Sequence, residues 1–144
     1  MIKSYDESIG RLTNITNKNL LHFLNKNLEK FNITTEQWTV LFNLSNQNKI
    51  SQKSLAKITN KDQPTLTRIL DILERKNLIE RHSSKEDRRS FLLHITENGL
   101  ILKENILPFI ENLFRDILKG ISPEDLNIYI CVLLQINKNI DNLK

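Results

Sequence analysis

The chain has 144 residues, 39% of them hydrophobic, with only three glycines and three prolines. That is enough apolar material for one folded domain and too few turn formers for a loop-rich β fold. Its single cysteine, Cys131, excludes an internal disulfide framework and a cysteine-rich zinc site. The net charge of +4 is concentrated: Lys49 to His94 holds 11 Lys or Arg against 6 Asp or Glu, whereas the remainder holds 10 against 11. The surplus that attracts phosphate therefore sits in one segment.

The opening MIKSYDESIG has no apolar signal core, and no apolar run approaches the roughly 18 residues of a membrane span. A cytoplasmic protein without membrane contact is expected. From about Ser8 to Phe31, Ile9, Leu12, Ile15, Leu20, Leu21, Phe23, Leu24, Leu28 and Phe31 recur at helical spacing and predict a first amphipathic helix. Thr34-Thr35-Glu36-Gln37 has the form of a capping box and opens a second helix through Trp38, Leu41, Phe42 and Leu44. Ser51 is placed to cap a short third helix carrying Leu55, Ala56 and Ile58.

A turn at Thr59-Asn60-Lys61-Asp62 leads to a helix from about Pro64 to Lys76. Leu66, Ile69, Leu70 and Leu73 give it one buried face; Gln63, Thr65, Thr67, Arg68 and Asp71 fall off that face, toward solvent or a ligand. Asn77 follows at the position where a left-handed residue is expected. Leu78–His82 and Ser90–Ile95 read as two short strands. The charged tip Lys85-Glu86-Asp87-Arg88-Arg89 joins them into a β-hairpin able to enter a DNA groove. Thr96 caps a long helix that Pro108 should kink and Gly120 should end. Ser122-Pro123-Glu124-Asp125 opens a last helix with Leu126, Ile130, Leu133, Leu134 and Ile140.

Helix, turn, helix and basic hairpin, in that order, is the layout of a winged helix-turn-helix. The expected class is mainly α with a small β-hairpin wing (α+β). Residues 34–96 form the DNA-binding region, and 1–33 with 97–144 form dimerisation helices. The first, fifth and sixth helices carry more apolar surface than so small a reading head can cover, so a second copy of the chain is expected against them.

Four stretches resemble the MarR family of transcriptional regulators: Thr35-Glu36-Gln37-Trp38-Thr39-Val40-Leu41, Ser51-Gln52-Lys53-Ser54-Leu55-Ala56, Thr65-Leu66-Thr67-Arg68-Ile69-Leu70, and Asp87-Arg88-Arg89 through Ile95-Thr96-Glu97-Asn98-Gly99. The resemblance implies a homodimer on pseudo-palindromic operators, released in many members by a small, often aromatic anion or by an oxidant. It also implies that Arg89 enters the minor groove while Asp87 holds its side chain, with Arg88 on phosphate or in the same groove. Asn77 stands where members usually have Gly, and Gln63-Pro64 replaces a more usual small or charged pair.

On physical grounds Gln63 suits adenine and Arg68 guanine, while Thr65 and Thr67 suit a thymine methyl or a phosphate. Ser51, Gln52 and Lys53, at a helix start, suit phosphate. His22, Trp38 and Phe42, with Phe23, either line an effector cavity or form an ordinary aromatic core. Cys131, flanked by Ile130, Val132 and Leu133, is expected in a packed core rather than as a redox sensor. His22, His82 and His94 are far apart in sequence and suggest no metal, and no cofactor is expected. An enzyme is disfavoured, since no Gly-rich phosphate loop, metal-ligand cluster or nucleophile–base pair occurs. A ligand-independent regulator and a helical protein-interaction module remain alternatives to an effector-released repressor.

Overall fold

The computed structural model describes residues 9–144. In chain order its elements are α1 (Ile9–Leu28), α2 (Thr35–Asn46), β1 (Ile50–Ser51), α3 (Gln52–Thr59), α4 (Gln63–Arg75), β2 (Ile79–Ser83), β3 (Phe91–Ile95), α5 (Glu97–Ile117) and α6 (Pro123–Asn142). The expected start of α1 at Ser8 lies outside the described residues. Phe31 belongs not to α1 but to a 3-10 turn, Glu29–Phe31, which Asn32 closes in the left-handed region at φ 54°. The chain divides into two units after Ile106, within α5.

The core of the first unit is built around α4. Leu66, Ile69, Leu70 and Leu73 are each at most 1% exposed, as their spacing predicts, and they are joined in the core by Leu41, Leu44 and Leu55. Burying each such side chain is worth about 1.5–3 kcal/mol. Caps set the helix starts. Thr34 and Gln37 form the expected capping box, Ser51 Oγ accepts from Ser54 N at 3.1 Å, and Asp62 accepts from Thr65 N at 2.8 Å. Because Asp62 is the cap, α4 begins at Gln63, with Pro64 in its first turn.

The wing has three strands rather than two. β1 pairs with β3 through Ile50–Leu93 and Ser51–Leu92, and β2 pairs with β3 from Ile79–Ile95 to Ser83–Phe91, all antiparallel. A two-residue strand is too short for alternation to declare itself. Ile50 joins because its neighbour Lys49 donates its N–H to Leu93 O at 2.9 Å.

One junction ties the end of α4 to the start of α5. Asn77 adopts φ 56°, and Leu78 N then reaches back to Leu73 O at 3.0 Å, closing the helix with the expected left-handed residue. Thr96 Oγ1 donates to Asn77 O at 2.7 Å while accepting from Gly99 N at 3.0 Å. Gly99 packs so closely that an added Cβ would lie 2.2 Å from Leu78 O and 2.7 Å from an Ile95 side-chain carbon. The first turn of α5 is thereby held against the end of α4.

In the second unit α5 continues past Pro108 to Ile117, Gly120 turns the chain at φ 86°, and Ser122 caps α6. No residue of α6 is buried. Ile128, Tyr129, Ile130, Val132 and Leu134 are all 45–65% exposed. Cys131 corrects the expectation of a packed core: it is exposed, as are its neighbours Ile130 and Val132 on α6.

Gly99→Ala is expected to lower stability by about 1–3 kcal/mol, since the clash is with backbone that cannot swing aside. Urea unfolding of the two proteins, compared at equal concentration, measures the loss.

Candidate nucleic-acid interface

The helix-turn-helix is joined by a side chain as well as by its core. Gln52, at the first position of α3, donates through Nε2 to Gln63 Oε1 at 3.0 Å and to Thr67 Oγ1 at 2.7 Å, both on α4. Three of the expected contact residues are thus brought together in one exposed cluster. Thr67 is further engaged with Gln63 O at 2.9 Å. Thr65 is half-buried and bonds its hydroxyl to Asp62 Oδ2 at 3.0 Å, as part of the cap. Those two bonds from Thr65, backbone first, hold the Asp62 carboxyl below the ordinary carboxylate range. Ser51 likewise spends its hydroxyl on capping, donating to Ser54 Oγ at 3.0 Å.

Lys53 and Arg68 are exposed cations of this surface. Arg68 is 67% exposed and lies 3.8 Å from Glu36, a long and weak ion pair. Helical geometry puts Arg75, one turn beyond Asp71, on the same outer side of α4 as Arg68; the expected contact set did not include it.

At the tip of the wing, Lys85, Glu86, Asp87, Arg88 and Arg89 are all exposed. Asp87 holds Arg89, but through the main-chain N–H at 2.9 Å rather than through the guanidinium that the resemblance implied. Ser90 donates N–H and hydroxyl to Asp87 O at 3.0 and 3.1 Å, and Ser84 N donates to Ser90 O at 3.0 Å. The carboxylate shapes the turn, and the turn presents Arg88 and Arg89.

Below the tip, Arg81 of β2 crosses to α4 and bonds Asp71 at 2.7 Å and Glu74 at 2.5 Å. On the other face of the sheet His82 and His94, distant in sequence, lie with ring centroids 4.0 Å apart, and His82 Nε2 is 2.8 Å from Glu80 Oε2. Among the described residues no group of three or more His, Cys, Asp or Glu side chains is arranged to hold a metal.

The expected effector lining is only partly assembled. Trp38 and Phe42 meet at 5.4 Å between ring centroids, while His22 is on an exposed side of α1. A cleft of about 270 Å³ in this unit is instead lined by Leu21 and Asn25 of α1, Thr34–Gln37, and Arg68, Ile69 and Ile72 of α4. A more open one of about 470 Å³ adjoins Phe31, Lys76, Leu78 and Ile101.

A winged helix-turn-helix with an arginine-bearing tip agrees with what the chain is similar to. Residues 33–91 match the profile of the MarR family. The HTH-type transcriptional regulator SarZ of Staphylococcus haemolyticus is 30% identical over 102 residues, 71% of this chain and 69% of SarZ. The chain belongs to the MarR family. Among solved structures, a cysteine-to-serine mutant of E. coli MarR complexed with operator DNA superposes with a TM-score of 0.85 at 26% identity, covering 94% of this chain and 99% of that one. Bordetella bronchiseptica BpsR shares the fold, with a TM-score of 0.86 at 23% identity over 95% and 98% of the two chains. As a MarR-family regulator the protein is a DNA-binding transcription factor and not an enzyme.

Sequence reasoning missed two features of this MarR-family wing. Arg81 shares a strand face with Ile79, and a cation on the inward side of a strand requires a partner; that alternation was the available signal. The histidine pair had none, because its contact depends on the β2–β3 register. Burial of His94, followed by its neighbours His82 and Lys49, holds its pKa below the usual imidazole range, against an opposing effect of Glu80. The unfolded chain therefore binds this proton at higher pH than the folded one. Stability from His94 is complete above about pH 6.5 and is lost as pH falls through the folded pKa. Thermal midpoints measured from about pH 7.5 down to about pH 5 are expected to fall less steeply for His94→Gln than for the unmodified protein.

Proposed function

We propose that the protein is a homodimeric repressor that occludes promoter DNA at a pseudo-palindromic operator and is released by a small aromatic or anionic effector. The observation that carries the reading is the linked head: Gln52 joins α3 to α4, and Arg81 joins α4 to the wing. In this reading Gln63, Thr67 and Arg68 meet base edges in the major groove, with Thr65 at the flank. Ser51, Gln52 and Lys53 lie along phosphate at the start of α3. Arg89 enters the minor groove beside Arg88, on the turn that Asp87 shapes.

A dimer follows from the apolar face of α6. A lone chain rarely leaves such a row of exposed Ile, Val and Leu side chains in water. Two heads must then match about one helical turn of DNA, roughly 34 Å. A ligand that favours another separation by a few kcal/mol switches occupancy. Regulation of DNA binding in BpsR by 6-hydroxynicotinic acid supports an aromatic acid as the ligand class. Trp38 and Phe42, both partly accessible, and His22 are the residues we assign to ring contacts in the assembled dimer. A DNA-bound regulator of this kind works in the cytoplasm.

Arg89→Ala is expected to raise the dissociation constant on an A·T-rich operator about tenfold, or about 1.4 kcal/mol. A gel-shift titration at fixed salt measures it, and unchanged affinity would count against the wing assignment. Leu134→Glu places a charge on the α6 face; sedimentation is expected to show a shift toward monomer, with operator binding weakened in parallel. Continued dimerisation at micromolar protein would remove α6 from the interface.

A further inference from the structure

We propose that Arg81 is a positioning residue for DNA recognition: it holds the wing at a fixed attitude to α4 and cancels the carboxylates of Asp71 and Glu74 where that helix approaches phosphate. The inference rests on reading α4 and Arg89 as the DNA-contacting parts. Along β2 the side chains alternate, so Arg81 lies on the face of Ile79, which is buried at the base of the hairpin, and opposite Leu93, also buried. Arg81 is itself only 18% exposed on its side chain. Beyond it the strand runs through Ser83 into the charged tip.

Its two partners stand three residues apart on α4, and that spacing brings both carboxylates to one side of the helix. One guanidinium nitrogen takes Glu74 and the other takes Asp71. The planar fork fixes the directions of both bonds at once, whereas a lysine ammonium, with three donors on a flexible stem, could reach either carboxylate but would not fix the direction of the strand. Each carboxylate is 42–53% exposed, so water screens the pair and its share of stability is small. Direction is what the contact supplies. It fastens the hairpin above its buried base, between that base and the tip, to the helix whose outer side carries Arg68. Without Arg81, Asp71 and Glu74 would lose the cation that pairs with both, and their negative charge would weaken the attraction of α4 for a polyanion.

The test uses the full-length protein and the duplex it enriches from a random pool. Arg81→Met is expected to raise the dissociation constant at least tenfold. It should also remove hydroxyl-radical protection of the minor groove at the wing position, while purine protection in the major groove persists. Arg81→Lys should not restore the minor-groove protection. Combining Arg81→Met with Asp71→Asn and Glu74→Gln should recover part of the affinity and none of that protection, a pattern that simple loss of stability does not produce.

If Arg81→Met does not fold, Asp71→Asn/Glu74→Gln with Arg81 intact decides. It should bind nonspecific DNA more tightly, having lost two negative charges, yet lose protection at the wing. Unchanged wing protection in either protein overturns the proposal. Arg89→Ala serves as the separate check: if wing protection survives there, the assignment of the tip to the minor groove fails first, whatever Arg81 does.

Discussion

The backbone of Leu78 and the missing side chain of Gly99 meet at a distance no Cβ could occupy. That approach lets the end of α4 and the start of α5 share a few ångströms of space. Asn77, in the left-handed region, turns the chain there, and Thr96 bonds to both sides of the gap. With its two ends pinned together, the chain between them runs outward and back as the antiparallel β2–β3 pair. The wing is therefore a consequence of the junction as much as of strand propensity. Asn in place of the more usual Gly at residue 77 is accommodated because Asn tolerates positive φ better than other side-chain-bearing residues. Gly99 has no such freedom: the obstacle there is occupied space rather than a dihedral angle.

Polar side chains on the reading head divide into those that build it and those left over. Ser51, Thr65 and Asp87 close caps or turns, and Gln52 and Arg81 bridge elements. Lys53, Arg68, Arg88 and Arg89 remain exposed. A residue that pre-orders the surface lowers the entropy lost on binding without touching the ligand. The exposed cations supply attraction through release of counterions. The concentration of positive charge between Lys49 and His94 thus measures the attraction well and says little about geometry, since Arg81 is consumed internally by Asp71 and Glu74.

Periodicity and capping chemistry made most of the fold legible. The α4 stripe, the Thr34–Gln37 box, the Ser51 and Ser122 caps and the Asn77 turn are local, and each lies where its residues place it. The start of α4 moved to Gln63 because Asp62, read as part of a turn, is its cap. What stayed hidden is nonlocal. β1 is a strand only because β3 lies beside it, and the approach of His82 to His94 depends on register. The two side-chain partners of Arg81 lie seven and ten residues back, on another element. Candidate contact residues were legible as chemical types, whereas which hydroxyls are already spent on caps depends on the folded geometry.

Cys131 shows the same limit from the opposite side. Its neighbours Ile130, Val132 and Leu133 are those of a core helix, and a local reading of apolar flanks leads to a buried thiol. Burial, however, is a property of what faces the helix, and among the described residues no side chain of α6 is fully buried, while Cys131 is exposed. Leaving Ile128, Val132 and Leu134 45–65% exposed forfeits about 25 cal/mol for every Å² that a partner surface would cover. If a second copy covers them, the core pattern of α6 is satisfied between chains, and the environment of the thiol becomes a function of assembly. The amphipathic pattern was then read correctly as a demand for burial, and what no single-chain reading supplies is which molecule meets that demand.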